Sequence, residues 1–110
     1  MDELPLEQVP ASKVDKALHD EVRFALMAVL TAREREKFTD IQERFHLTAG
    51  NLSSHLAQLE QAGYVKVKKS FFGKKPQTLI EATPKGTKAL KDYIADMKSR
   101  LEIAATAVAK

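Results

Sequence analysis

The residues able to do chemistry in this 110-residue chain form two adjacent groups, and neither resembles a reaction centre. Thr48, Gly50, Asn51, Ser53, Ser54 and Gln58 supply small or neutral hydrogen-bonding groups within a leucine-spaced segment. Directly after it, residues 64–78 hold five lysines (Lys66, Lys68, Lys69, Lys74 and Lys75) and no acid. Asn and Gln can pair with adenine edges, and Ser with several bases or with phosphate. A local cationic block attracts a polyanion whatever the overall charge. Together the two groups point to nucleic acid. Taken singly, each has a plainer reading, as a solvated helix face and as a lysine-protected hairpin edge.

Other chemistries lack their parts. The chain has no cysteine, which excludes disulfides, thiolate metal sites and cysteine nucleophiles. His19, His46 and His55 show no ligand spacing, so no metal is expected, and His55 reads as a packing and hydrogen-bonding residue. There is no phosphate-binding glycine loop, no nucleophile elbow and no paired catalytic constellation, so neither an enzyme nor a cofactor is expected. A small-molecule pocket near Tyr93, Met97 and the first long helix stays open, with no effector marked.

Composition agrees with a binding domain. Lys and Arg number 18 against 15 Asp and Glu, a net charge of +3; with 44% hydrophobic residues the chain is too apolar for disorder, and with 30% charged too polar for a membrane protein. The longest apolar run, residues 24–30, is far below the ~20 residues that span a bilayer. The start, Met1-Asp2-Glu3-Leu4-Pro5, is acidic and broken by proline, unlike a secretory leader, so a cytoplasmic protein is expected.

The elements that must position these groups follow from spacing. Residues 1–11, with Pro5 and Pro10, read as a flexible arm. A short helix from Ser12 or its successor through Leu18 is suggested by Val14 and Leu18. Asp20 then caps a helix whose stripe is Val22, Leu26, Val29 and Leu30, ending near Thr31. Residues 32–37 read as a polar connection. Thr39 or Asp40 caps a short helix anchored by Ile41, Phe45 and Leu47, which ends near His46. Thr48 caps the next, at about 49–62, with Leu52, Leu56 and Leu59 inward and Gly63 closing it. That is a helix-turn-helix arrangement. Placing the leucines inward turns Gly50, Ser54 and Gln58 outward, with Asn51 and Ser53 on the flanks.

Past Gly63 the period becomes two, as Tyr64, Val65, Val67 and Phe71 alternate with lysines. Residues 78–82 return, making a hairpin with its tip at 72–76. Of Phe71 and Phe72, one reads as core and the other as support for the hairpin, base stacking being the lesser reading. Thr83-Pro84 opens a last helix to about Ala107. Along it Leu90, Ile94, Met97, Leu101, Ala104 and Val108 step by 4, 3, 4, 3 and 4, the seam of a coiled-coil contact. The seam is expected to bury against a second copy; the alternative is that it folds back on its own domain. Arg23 suits either a phosphate or a nearby acid, and Thr39 either a phosphate or a cap.

In this order the chain resembles the winged helix-turn-helix transcriptional regulators of the broad ArsR/MarR-like group. Residues 20–26 (Asp-Glu-Val-Arg-Phe-Ala-Leu) look like the family's opening helix. Residues 47–65 are similar to its recognition helix and first wing strand, and Thr83-Pro84-Lys85-Gly86 to its T-x-x-G start of the last helix. The resemblance covers roughly residues 18–103. It implies a mainly α fold with a small β-hairpin: a winged helix-turn-helix domain over 12–83 and a long C-terminal dimerisation helix over 84–110. It implies a homodimer bound to double-stranded DNA, with the helix at 49–62 in the major groove. The basic wing, 66–78, would lie on the backbone or minor groove. The DNA contacts would be Thr48, Gly50, Asn51, Ser53, Ser54, Gln58, Lys68, Lys69, Lys74 and Lys75. The same fold also serves as a protein–protein interaction module in larger assemblies, which is the alternative.

Overall fold

The computed structural model describes residues 14–109. The arm expected over 1–11, and the start of the short helix expected from Ser12, lie outside the described residues. Within them, residues 14–20 form a turn instead of a helix. The Asp15 carbonyl accepts from the Leu18 and His19 N–H groups, and the Asp15 carboxylate from Ala17 N–H. An acceptor side chain that bonds its own neighbours competes with helix formation here.

Helix α1 spans Glu21–Arg33, with Asp20 accepting from the N–H groups of Val22 and Arg23 at 2.9 Å. It runs two residues past the expected end and stops at Glu34, whose φ of 69° and ψ of −51° leave the helical region. The polar connection expected over 32–37 is partly a strand. β1, Arg35–Lys37, pairs antiparallel with residues 79–81. Helix α2, Phe38–Phe45, begins one residue before the expected caps and takes Lys37 as its N-cap without a side-chain bond. The apolar positions decide its start: Phe38, Ile41 and Phe45 fall on one face and pack on the core. Thr39 and Asp40 are left exposed in the first turn.

Helix α3, Ala49–Gln61, follows after three residues, with Thr48 Oγ1 accepting from Asn51 N–H at 3.1 Å. Both helices of this pair end in the same way. His46 and Gly63 take positive φ, and the next residue's N–H reaches back to Gln42 and Leu59 respectively. Strands β2, Val65–Phe72, and β3, Lys75–Ala82, form a hairpin whose loop is only Gly73-Lys74. Gly73 has φ +64°, as the first residue of a II′ loop requires. The strands therefore run further than the expected tip at 72–76 allowed. Pro76 is tolerated in β3 because β1 reaches only Leu79, leaving one side of β3 unpaired there. The sheet order is β1-β3-β2.

Helix α4, Pro84–Val108, starts on Thr83, whose hydroxyl accepts from Gly86 N–H and donates to the Gly63 carbonyl. Gly86 is there because α4 passes directly over Tyr64: a Cβ at this position would stand 2.2 Å from the Tyr64 carbonyl oxygen. The core unites all the helices with the sheet through Leu18, Leu26, Met27, Leu30, Ile41, Leu52, Leu56, Leu59, Val65, Ile80 and Leu90. Only the first part of α4 joins it. The remainder projects, and the molecule measures 67 × 25 × 21 Å.

Candidate nucleic-acid interface

The fold gives α3 two unlike sides. Leu52, Leu56 and Leu59 are buried, while Gly50, Asn51, Ser53, Ser54 and Gln58 are exposed together with the capping Thr48. A Cβ at Gly50 would meet nothing within 4 Å, so packing does not require a glycine there. Its absence of side chain leaves the backbone of the first turn open to close approach.

The pleat of the hairpin sorts the wing residues into two faces. Val65, Val67, Lys69 and Phe71 share the core side with Ile80 and Thr78, whereas Lys66, Lys68, Ser70 and Phe72 share the other. A groove lined by Ser53, Ala57, Glu60, Val67, Lys69 and Thr78, among others, joins the outer side of α3 to the first face. Lys69 therefore stands beside α3. Lys68 is turned away and ion-paired with Glu81 at 3.1 Å. Lys74 in the loop and Lys75 after it are both exposed.

Neither phenylalanine of the wing is core. Phe71 is 70% and Phe72 73% exposed. The hairpin outruns the core, whose last sheet residues are Val65 and Ile80, so alternation continues with nothing beneath it. Phe72 instead lies under the Lys37 ammonium, 5.5 Å from its ring centroid.

Arg23, left open between phosphate and acid, turns inward and is 9% exposed. Its Nε donates to the Ala17 carbonyl at 2.7 Å and one terminal nitrogen faces His55 Nδ1 at 3.1 Å, with Asp20 at 3.8 Å. A guanidinium only donates, so His55 Nδ1 must accept in this contact. Arg23 thus ties the turn before α1 to the back of α3, and its role is to position that helix. The Asp20 carboxyl is held below its usual range by the backbone N–H of Arg23, then by the Arg23 guanidinium charge, against the opposing effect of burial. Sequence spacing missed this latch because its residues come from separate elements.

On the far side, a cavity of about 480 Å³ lies between the start of α1 and α4, lined by His19, Phe24, Tyr93, Ile94, Met97 and Leu101 among others. This is where the sequence left a ligand pocket open. It lies on the same face as the α4 seam, of which Leu90 is buried inside this chain while Leu101 and Val108 are 63% and 85% exposed. Among the described residues no three His, Asp or Glu side chains gather as metal ligands, and no helix is long and apolar enough to cross a membrane.

Residues 22–101 match the sequence model of a family described as winged helix DNA-binding domain. An uncharacterized protein of Methanocaldococcus jannaschii is 39% identical over 79 residues, covering 72% of this chain and 86% of that protein. The solved structure of a transcriptional regulator homologue from Pyrococcus horikoshii OT3 is 32% identical with a TM-score of 0.75, over 88% of this chain and 93% of that one. The fold is also similar to that of AbfR, solved bound to DNA in an overoxidized form: TM-score 0.65 at 22% identity, over 76% of this chain and 64% of that one.

Proposed function

The chain belongs to the winged helix DNA-binding domain family, and on that premise we propose that it is a sequence-specific transcriptional regulator that binds double-stranded DNA. The observation that carries this reading is the groove in which Ser53 and Ala57 of α3, with Glu60 beside them, meet Lys69 of the wing, next to the exposed neutral residues Thr48, Gly50, Asn51, Ser54 and Gln58. The likeness to the Pyrococcus horikoshii regulator homologue supports it.

In this reading α3 lies in the major groove. Asn51 and Gln58 read base edges, Ser53 and Ser54 bond to bases or phosphate, and the first turn at Thr48 and Gly50 receives a phosphate. Lys69, Lys74 and Lys75 grip the backbone, while Lys68, paired on the opposite face, adds only diffuse charge. Two copies join through Ile94, Met97, Leu101, Ala104 and Val108, Leu90 being taken up by the core. Their α3 helices then meet half-sites about 34–36 Å apart.

Titration against duplex DNA at increasing salt tests this. Log K is expected to fall with log salt by about 0.9 per phosphate contact. Lys74→Ala with Lys75→Ala weakens all sequences alike and flattens the slope by about two such contacts. Asn51→Ala instead costs about 1–3 kcal/mol at one base position and relaxes preference there. No duplex binding at low salt would favour the protein–protein module.

A further inference from the structure

The two exposed rings of the wing are used neither by the core nor by the contacts proposed for α3 and the lysines. A hairpin end shaped only for solubility would carry polar side chains at these places. The pleat turns the rings apart: Phe72 goes with Lys75 and Lys37, and Phe71 with Lys69 and Val67. Lys69 lines the groove it shares with Ser53 and Ala57 of α3, and Phe71 is the next residue on that face, further out along the wing. Lys69 shares its face, Lys74 stands in the loop just beyond, Lys75 lies on the opposite face beside Phe72, and no acid occurs from Val65 to Thr78. An apolar ring framed by ammonium groups, on the side of the reading helix, suits a polyanion with aromatic faces inside it. A base step of duplex DNA offers both. An anionic lipid surface offers charge, but it would favour both rings on one plane, and these are on opposite faces.

Resting on the DNA-binding reading above, we infer that Phe71 is a wedge. Its ring enters the minor groove next to the segment read by α3 and inserts partway between two base pairs. The duplex kinks toward the major groove while Lys69, Lys74 and Lys75 neutralise the flanking phosphates. Phe72, under Lys37, is on the opposite face of the hairpin and takes no part in the wedge. Unstacking is cheapest at a pyrimidine–purine step, so the wedge adds site preference at a position where no side chain bonds to a base.

The test uses the full chain and a duplex selected from genomic fragments, with 2-aminopurine at successive steps and dyes at both ends. Wild type is expected to raise 2-aminopurine fluorescence at one step and to shorten the end-to-end distance. Phe71→Ala loses both signals and binds roughly tenfold more weakly with an unchanged salt slope. Phe72→Ala keeps both signals. Both rings are exposed, so thermal melting stays at the wild-type value in each variant. Bending by Phe71→Ala equal to wild type, straight DNA in the wild-type complex, or equal loss in Phe72→Ala would each overturn the wedge while leaving DNA binding intact. Wild type that binds no duplex overturns the DNA reading itself. Binding of phosphatidylserine vesicles that Phe71→Ala abolishes, with bending unaffected, assigns the ring to lipid and also overturns the wedge.

Discussion

At the scale of single residues, two glycines in helices do opposite things. Gly86 sits where α4 crosses Tyr64, and a methyl group there would collide with a backbone oxygen at 2.2 Å and with Met27 Cε at 2.9 Å. Backbone cannot swing aside as a flexible side chain can. Gly86→Ala is therefore expected to destabilise by about 1–3 kcal/mol or more, read from the urea midpoint. Gly50 meets open space. Gly50→Ala should stabilise by up to about 0.5–1 kcal/mol while weakening DNA binding, because the added methyl stands on the proposed contact. The opposite signs separate a glycine kept for packing from one kept for approach. Tyr64 itself is pinned from a second side, its hydroxyl donating to the Asp15 carboxylate. Burial, then that bond, push its ionisation up to about 12.

At the scale of elements, the start of α1 joins capping, charge and the placing of α3. Asp20 accepts from two backbone N–H groups and faces both Arg23 and His55. Its carboxyl titrates lower in the folded chain than the ordinary 3.8. A depressed carboxylate adds stability that is present above its unfolded value and is lost as pH falls through the folded one. Asp20→Asn keeps a capping oxygen but no charge. It should be less stable than wild type at pH 7 by a fraction of about 1 kcal/mol, and the gap should close as pH falls below the ordinary 3.8 and through the lowered folded value. Denaturant midpoints across that range check it, and a gap that persists in acid would mean the charge is not what Asp20 contributes. The wing is an element of another kind. It is held mainly by its own ladder, with the Lys68–Glu81 pair across it, and its outer half has no core beneath. Such an element can carry contacts outward, but little packing fixes its tip.

At the scale of the whole molecule, α4 divides its labour. Gly86 and Leu90 are buried with α1 and the sheet, whereas Leu101 and Val108 lie exposed along a helix that reaches ~37 Å by its 25 residues. An apolar stripe at coiled-coil spacing, left uncovered by its own chain, gains most by meeting a copy of itself. If α4 carries the proposed interface, wild type is expected to sediment as a dimer and Ile94→Glu with Leu101→Glu as a monomer near 12.3 kDa. Both positions are exposed in the single chain, so the fold should survive. The double variant should also lose the advantage of two half-sites over one. A variant that stays dimeric would move the interface elsewhere.

Much of this architecture is local and was legible in advance. Asp20, Thr48 and Thr83 announce three helices, Gly63 closes one, and the leucine spacing turns α3 the right way in, because helix hydrogen bonds and caps close within a few residues. The outward group from Thr48 to Gln58 followed from the same periodicity. Pairing and burial with distant partners could not be read so. Residues 35–37 carry no strand pattern and become β1 only because β3 lies alongside. One of Phe71 and Phe72 reads as core by type, yet the core ends before the hairpin reaches either. Arg23 looks like a surface charge until Ala17 and His55 close around it. The chain's own repeat sets its helices; where its interior stops, and so which rings and charges face outward, is settled only when separate segments meet.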